Sequence, residues 1–262
     1  MKIGYIICSA KFISVYKNSL SKNSKKMKIL SLITLITIFL IPFVLILLQP
    51  DFGTAAVFFV IACFFMFKFG IKYRYVIAGI LLAVVLIPFV YSFVLNDVQK
   101  QRIDVFLNPE LDPLGSGYNA IQSKIAVGSG MLFGTGLLNG AQTQYGYLPI
   151  KSTDFIFSVI SEEMGFVVST IIILLYTVLL IRLFIISKNA KDDFSSFMVI
   201  GIAGMFFFHF VENIGMTIGL LPITGIPLPF VSYGGSNMLT NCIAIAICLN
   251  VSARKSKNMF LD

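Results

Sequence analysis

The residues best placed for chemistry are a few carboxylates and bases at the edges of apolar runs. Asp154 lies in Lys151-Ser152-Thr153-Asp154-Phe155-Ile156-Phe157, where a long polar stretch re-enters an apolar one, and Glu162-Glu163-Met164-Gly165 follows closely. A carboxylate at a water–lipid boundary suits a substrate with a polar head and an apolar tail, so lipid-linked chemistry is expected over a soluble substrate. As a general base, Asp154 must reach the proton it removes and titrate near the working pH. Burial among Phe155, Phe157 and lipid would raise its pKa, whereas a helix N-terminus would lower it. The alternative is local: Thr153 or Asp154 caps the following helix by satisfying its free N–H groups.

Arg102, Lys124 and Lys151 are the basic residues suited to an anionic group such as a diphosphate, and each could equally be a solvated charge. Glu162, Glu163 and Glu212 fall within or beside apolar runs, where charge is costly and therefore a candidate for function. Glu162 and Glu163 are adjacent, so on a helix they point about 100° apart and do not face one cavity squarely. His209 stands among Phe206, Phe207, Phe208 and Phe210, a setting for a buried hydrogen-bonding residue rather than a ligand. No His, Cys and carboxylate spacing suggests a zinc site, and no nucleophilic serine constellation is visible. Gly128-Ser129-Gly130 lacks the strand–turn–helix unit of a dinucleotide cradle, which favours close helix packing and sharp turns.

The elements that must position these groups are membrane helices. Of the 262 residues, 57% are hydrophobic and 12% charged, with a mean hydropathy of +0.91; soluble domains carry about a quarter charged residues. Apolar runs long enough to cross a bilayer occur at Ile29–Leu48, Phe52–Phe67, Tyr75–Leu95, Phe155–Ile186, Phe197–Leu221 and Phe230–Val251. The fourth is too long for one untilted span, and Pro42 and Pro88 predict kinks in two others. The reading is an all-α, polytopic helix bundle in a single domain, 1–262, with six full spans. A partial helix at Ile3–Ala10 precedes them, and a large loop covers residues 96–154. Cys8, Cys63, Cys242 and Cys248 sit in apolar runs and suggest no disulfide framework. The net charge of +8 does not point to nucleic acid. Its lysines and arginines lie in alternate loops, so the positive-inside rule puts both termini in the cytoplasm and the long loop outside. Residues 118–138, half-apolar and broken by glycines, suit a segment dipping into the interface.

Several motifs in order resemble one family. They are Gln49-Pro50-Asp51-Phe52-Gly53-Thr54, Gln101-Arg102 with Phe106-Leu107-Asn108-Pro109, and Asp112-Pro113-Leu114-Gly115-Ser116-Gly117-Tyr118. Gln122-Ser123-Lys124, Gly128-Ser129-Gly130, Thr153-Asp154-Phe155-Ile156-Phe157 and Glu162-Glu163-Met164-Gly165 continue the series. Asn213-Ile214-Gly215-Met216, Pro222 to Pro229 and Ser232-Tyr233-Gly234-Gly235-Ser236 complete it. Together they resemble the SEDS family (shape, elongation, division and sporulation).

The resemblance implies a bacterial cytoplasmic-membrane peptidoglycan glycosyltransferase that polymerises lipid II for wall elongation, beside a class B penicillin-binding protein. Asp154 stands at the family's loop aspartate and would act as general base in an inverting transfer. Arg102, Gln122, Ser123, Lys124, Lys151, Glu162 and Glu163 form the expected substrate-binding set. Membrane lipid is the other partner; no cofactor is implied with certainty, and a divalent cation is left open. Lipid II transport and a non-catalytic role of binding the penicillin-binding protein are the alternatives. The family's first three spans and most of a fourth are absent, which predicts an N-terminally shortened member. Ile150 and Ser152 also stand where members carry glutamate and histidine.

Overall fold

The computed structural model describes residues 1–20, 37, 39, 41–46, 49, 51–70, 97–148 and 150–254. Its principal elements are α1 (Lys2–Leu20), α2 (Phe52–Phe69), α3 (Asp97–Leu107), a 3-10 turn (Pro109–Leu111), α4 (Ser116–Ser129), α5 (Ala141–Gln144), α6 (Ile156–Lys188), α7 (Asp193–Thr217) and α8 (Gly235–Ala253). The protein is all-helical among the described residues. Four helices, α2, α6, α7 and α8, are long and apolar enough to cross a membrane. They coincide within a few residues with four of the six expected spans. The expected span at 75–95 lies outside the described residues, as does most of that at 29–48, of which 41–46 are helical.

Helix ends shift from their expected places for local reasons. α7 begins early because the Asp192 carboxylate accepts the Ser195 N–H at 2.9 Å, an N-cap bond. It stops at Thr217 rather than Leu221 because the Leu220 N–H turns back to the Gly215 carbonyl at 2.7 Å, a Schellman-type ending. The N-terminal helix was expected to end at Ala10, yet α1 continues through Lys11 to Leu20. Lys11 is exposed and its ammonium lies 5.8 Å from the Phe194 ring centroid, so the charge stays outside the packed face.

The chain forms two compact units, one of residues 1–68, 175–209 and 234–262, the other of 69–174 and 210–233. In the first, Ile6, Phe58, Ile61, Phe65, Phe197 and Phe206 are fully buried. A Cβ on Gly201 would lie 2.6 Å from the Phe65 ring and 2.8 Å from Ile6, so this glycine lets α1, α2 and α7 approach. Ser187 and Ser196 exchange hydroxyl-to-carbonyl bonds of 2.9 and 2.5 Å, tying the end of α6 to the start of α7. His209 is the buried hydrogen-bonding residue its surroundings suggested: Nδ1 lies 2.6 Å from the Met205 carbonyl and Nε2 2.8 Å from Lys2 Nζ.

The second unit carries the long loop and the N-terminal part of α6. At 33 residues, α6 would extend about 50 Å if straight, well beyond the roughly 30 Å hydrocarbon layer. It is broken at Gly165, whose φ of 76° and ψ of −173° interrupt the helix. The freed groups are satisfied by residues 131–136. Thr135 and Gly136 donate N–H bonds to the carbonyls of Glu162 and Glu163 at 2.9 and 3.1 Å. Phe166 and Val167 donate theirs to the carbonyls of Met131 and Leu132 at 2.8 and 3.2 Å. A break at membrane depth is tolerated only with such replacement partners. The fit also requires bare backbone, because a Cβ on Gly165 would run into the Gly134 amide nitrogen.

Candidate functional site

Asp154 sits in a turn of residues 151–155, ahead of the first helical residue, Ile156. The Phe155 carbonyl accepts the first helical bonds, from Ser158 at 3.0 Å and Val159 at 3.2 Å. Neither Thr153 nor Asp154 therefore occupies the N-cap, and the capping alternative does not describe this turn. Three contacts hold the turn instead. Asn213 Nδ2 donates to the Asp154 carbonyl, Ser232 Oγ donates to the Thr153 carbonyl, and the Tyr233 N–H donates to the Ser152 carbonyl, at 2.8, 2.6 and 2.9 Å.

The same groups organise the facing loop, 221–233. Asn213 Nδ2 also reaches the Ile226 carbonyl at 2.8 Å, and Ser232 Oγ accepts the Leu228 N–H at 2.7 Å. Asp154 Oδ2 faces Gly225, whose absent Cβ would lie 3.3 Å away. One residue earlier, Thr224 donates to buried Glu212 at 2.8 Å. The Asp154 carboxyl is half-buried. Burial raises its pKa above the usual value, opposed by a hydrogen bond from the Thr153 side chain. Such a group can take a proton from a hydroxyl brought to its open side.

Glu162 and Glu163 are committed to α5. Glu162 is 0% exposed and accepts three hydrogen bonds: from the N–H groups of Gln142 and Thr143 at 2.8 and 3.1 Å, and from the Thr143 hydroxyl at 2.6 Å. The N-cap of α5 is Gly140, which has no side chain to cap with. A Cβ there would lie 2.7 Å from the Glu162 carboxyl, so the remote carboxylate takes the capping place. Glu163 accepts a bond from Gln144 Nε2 at 3.3 Å. Despite diverging on their helix, both acids reach one four-residue element. Lys151 closes the frame from its other end, donating from Nζ to the Thr143 carbonyl at 2.7 Å.

The other expected site residues are dispersed. Ser123 is buried, paired with Ser158 Oγ at 2.7 Å and donating to the Thr217 carbonyl at 2.8 Å, so it links α4, α6 and α7. Gln122 is partly exposed beside it on α4. Lys124 lies on the open side of α4 with its stem against Gly219, just beyond the C-terminus of α7. That is a favourable place for a cation. Arg102 lies on α3, its side chain outside the described part of the structure. A cavity of about 370 Å³ is lined by Val127, Gly128, Met131, Phe157, Phe166 and Ile173, among others. Phe157 sits three residues beyond Asp154.

Asn213, Ser232 and Thr224 are the positioning groups that spacing alone did not single out as site residues, whereas Glu212, the partner of Thr224, was a candidate from the sequence. Their signal was a polar side chain inside, or bounding, an apolar run.

The FtsW/RodA/SpoVE family model, described as "Cell cycle protein", matches residues 1–257. The chain belongs to this family, whose members are membrane proteins, and it is a multi-pass membrane protein. Peptidoglycan glycosyltransferase MrdB of Escherichia coli K12 is 40% identical over 214 residues, covering 82% of this chain and 58% of MrdB. Stage V sporulation protein E of Bacillus subtilis is 40% identical over 253 residues, 96% of this chain and 67% of that protein. The chain thus spans 58% to 67% of the length of these two relatives. Among solved structures, one from a study of structural coordination of polymerization and crosslinking by a peptidoglycan synthase complex superposes with a TM-score of 0.77. Its identity is 27%, over 98% of this chain and 69% of that one. The crystal structure of Thermus thermophilus rod shape determining protein RodA gives a TM-score of 0.61 at 25% identity, over all of this chain and 65% of RodA.

Proposed function

We propose that this chain carries out peptidoglycan glycosyl transfer, polymerising lipid II with Asp154 as the general base. The supporting observation is the Asp154 turn, fixed by Asn213, Ser232 and Tyr233 while its carboxyl stays half-open toward Gly225. The names of the relatives supply the reaction class.

In this mechanism Asp154 removes the proton from the acceptor sugar's 4-hydroxyl, and that oxygen attacks the donor's anomeric carbon. The anomeric C–O bond to diphosphate breaks, undecaprenyl diphosphate departs with the electron pair, and configuration inverts to a β-1,4 linkage. Arg102 and Lys124 are the cations assigned to the departing diphosphate. Glu162, Glu163 and Lys151, already engaged with α5, and Ser123, engaged with Ser158 and Thr217, act by holding the surrounding structure rather than by touching sugar. Gln122 is left on the accessible side of α4. The 370 Å³ cavity beside Phe157 suits the apolar tail of a lipid-linked substrate. Residues 96–154 face the cell exterior, both termini face the cytoplasm, and the partner is a class B penicillin-binding protein.

The test is polymerisation of lipid II by the protein purified with its penicillin-binding partner. Asp154→Asn is expected to abolish the glycan ladder on a gel, and an unchanged ladder would remove Asp154 from the reaction.

A further inference from the structure

Residues 131–138 join α4 to α5, and their main chain is fastened at a definite level along a membrane-spanning helix. Counting back about 20 residues from Ile186, the number needed to cross hydrocarbon, reaches Val167. The break at Gly165 and the loop bonded to it are therefore level with one headgroup–hydrocarbon boundary, not free in water.

The side chains here agree with that level. Met131, Leu132, Phe133, Leu137 and Leu138 all point outward, Phe133 with 81% and Leu138 with 75% of its surface exposed. None of residues 125–150 is charged. Soluble surfaces do not carry so dense an apolar patch without a contact for it. On α6, Phe166, Ile171 and Leu174 are also exposed. This is the face a span turns to lipid, and Phe166 is bonded through its N–H to Met131. The patch continues the lipid-facing surface of the helix that carries it.

We propose that residues 131–138 form a wedge seated among the acyl chains at the edge of one leaflet, with the break in α6 as its mount. The partner is bilayer hydrocarbon, at the 5–10 Å depth of roughly the headgroup–acyl boundary where interfacial segments bury apolar side chains. The main-chain bonds to residues 162–167 set the depth, and the five apolar side chains supply the contact. Nothing in this contact depends on the sugar-transfer reading.

The chain contains no tryptophan, so Phe133→Trp places a single tryptophan, excited selectively over the tyrosines, at the tip. The full chain is reconstituted in phosphatidylcholine–phosphatidylglycerol vesicles and titrated with lipids brominated near the top of the acyl chain, and separately with aqueous iodide. Asn189→Trp, on the turn after α6, is the solvent comparison. The expected result is severalfold stronger quenching by brominated lipid at position 133 than at 189, with the reverse order for iodide. Equal iodide quenching at the two positions, or shielding of position 133 from both quenchers, overturns the wedge. Because Phe133 packs outward, the exchange leaves the core intact, and Leu137→Trp repeats the test at a second point. The readout requires no substrate, so its failure is distinguishable from loss of polymerase activity.

Discussion

In the proposed reaction Asp154 can act as a base only when ionised, and burial lifts its pKa above the ordinary value of roughly 3.9. Polymerisation should therefore fall on the acid side through a midpoint above that value. Thr153 opposes the lift, so Thr153→Val is expected to move the acid limb to higher pH; an unmoved pH–rate profile would show that this hydroxyl does not tune the base. Glu162 makes a contrasting case of a carboxylate bound entirely to the protein. Glu162→Ala leaves two N–H groups and a hydroxyl unpaired in a buried site, a loss of about 1–3 kcal/mol for each unsatisfied group. Thermal unfolding in detergent should drop by several degrees, and Glu162→Gln, which keeps one acceptor oxygen, should lie between. The place of Asp154 ahead of a membrane helix was legible in the sequence, because a lone carboxylate stands there at the mouth of an apolar run. The employment of Glu162, Glu163 and Lys151 was not, since their partners on α5 lie 8 to 20 residues away. Only tertiary structure brings them together.

At the scale of elements, α6 and the 131–136 segment form one device. An L-residue at Gly165 would incur about 1–3 kcal/mol, because φ 76° with ψ −173° is a backbone region essentially reserved for glycine, before its Cβ met Gly134. Gly165→Ala and Gly134→Ala should each unseat the loop and lower the unfolding temperature sharply. Gly128→Ala, on α4 with nothing within 4 Å of the new methyl, should be neutral or slightly stabilising. Equal behaviour of all three variants would contradict the fit described for residues 134 and 165. The length of the apolar run at 155–186 already implied that one straight span was wrong. The position of the interruption was hidden, because glycine is common in membrane helices and does not by itself mark a break.

At the scale of the whole chain, four spans were readable within a few residues because hydropathy alone sets them. α1 was misjudged by ten residues because a lysine on the open face of a helix does not end it. Orientation is testable directly. With the four native cysteines replaced, a single cysteine at exposed Tyr145 should react with an impermeant maleimide on intact cells. One at Asn189 should react only after permeabilisation, and the opposite order would invert the topology. The four bonds fastening residues 131–136 to α6 run from main chain to main chain. Short of proline at a donor position, an exchange of side chain leaves them in place, so the segment is constrained in shape at 134 and 165 while 131, 132 and 133 can vary among apolar side chains. Descendants of this chain can retune those three positions to a thicker, stiffer or more fluid envelope while the Asp154 turn stays where it is.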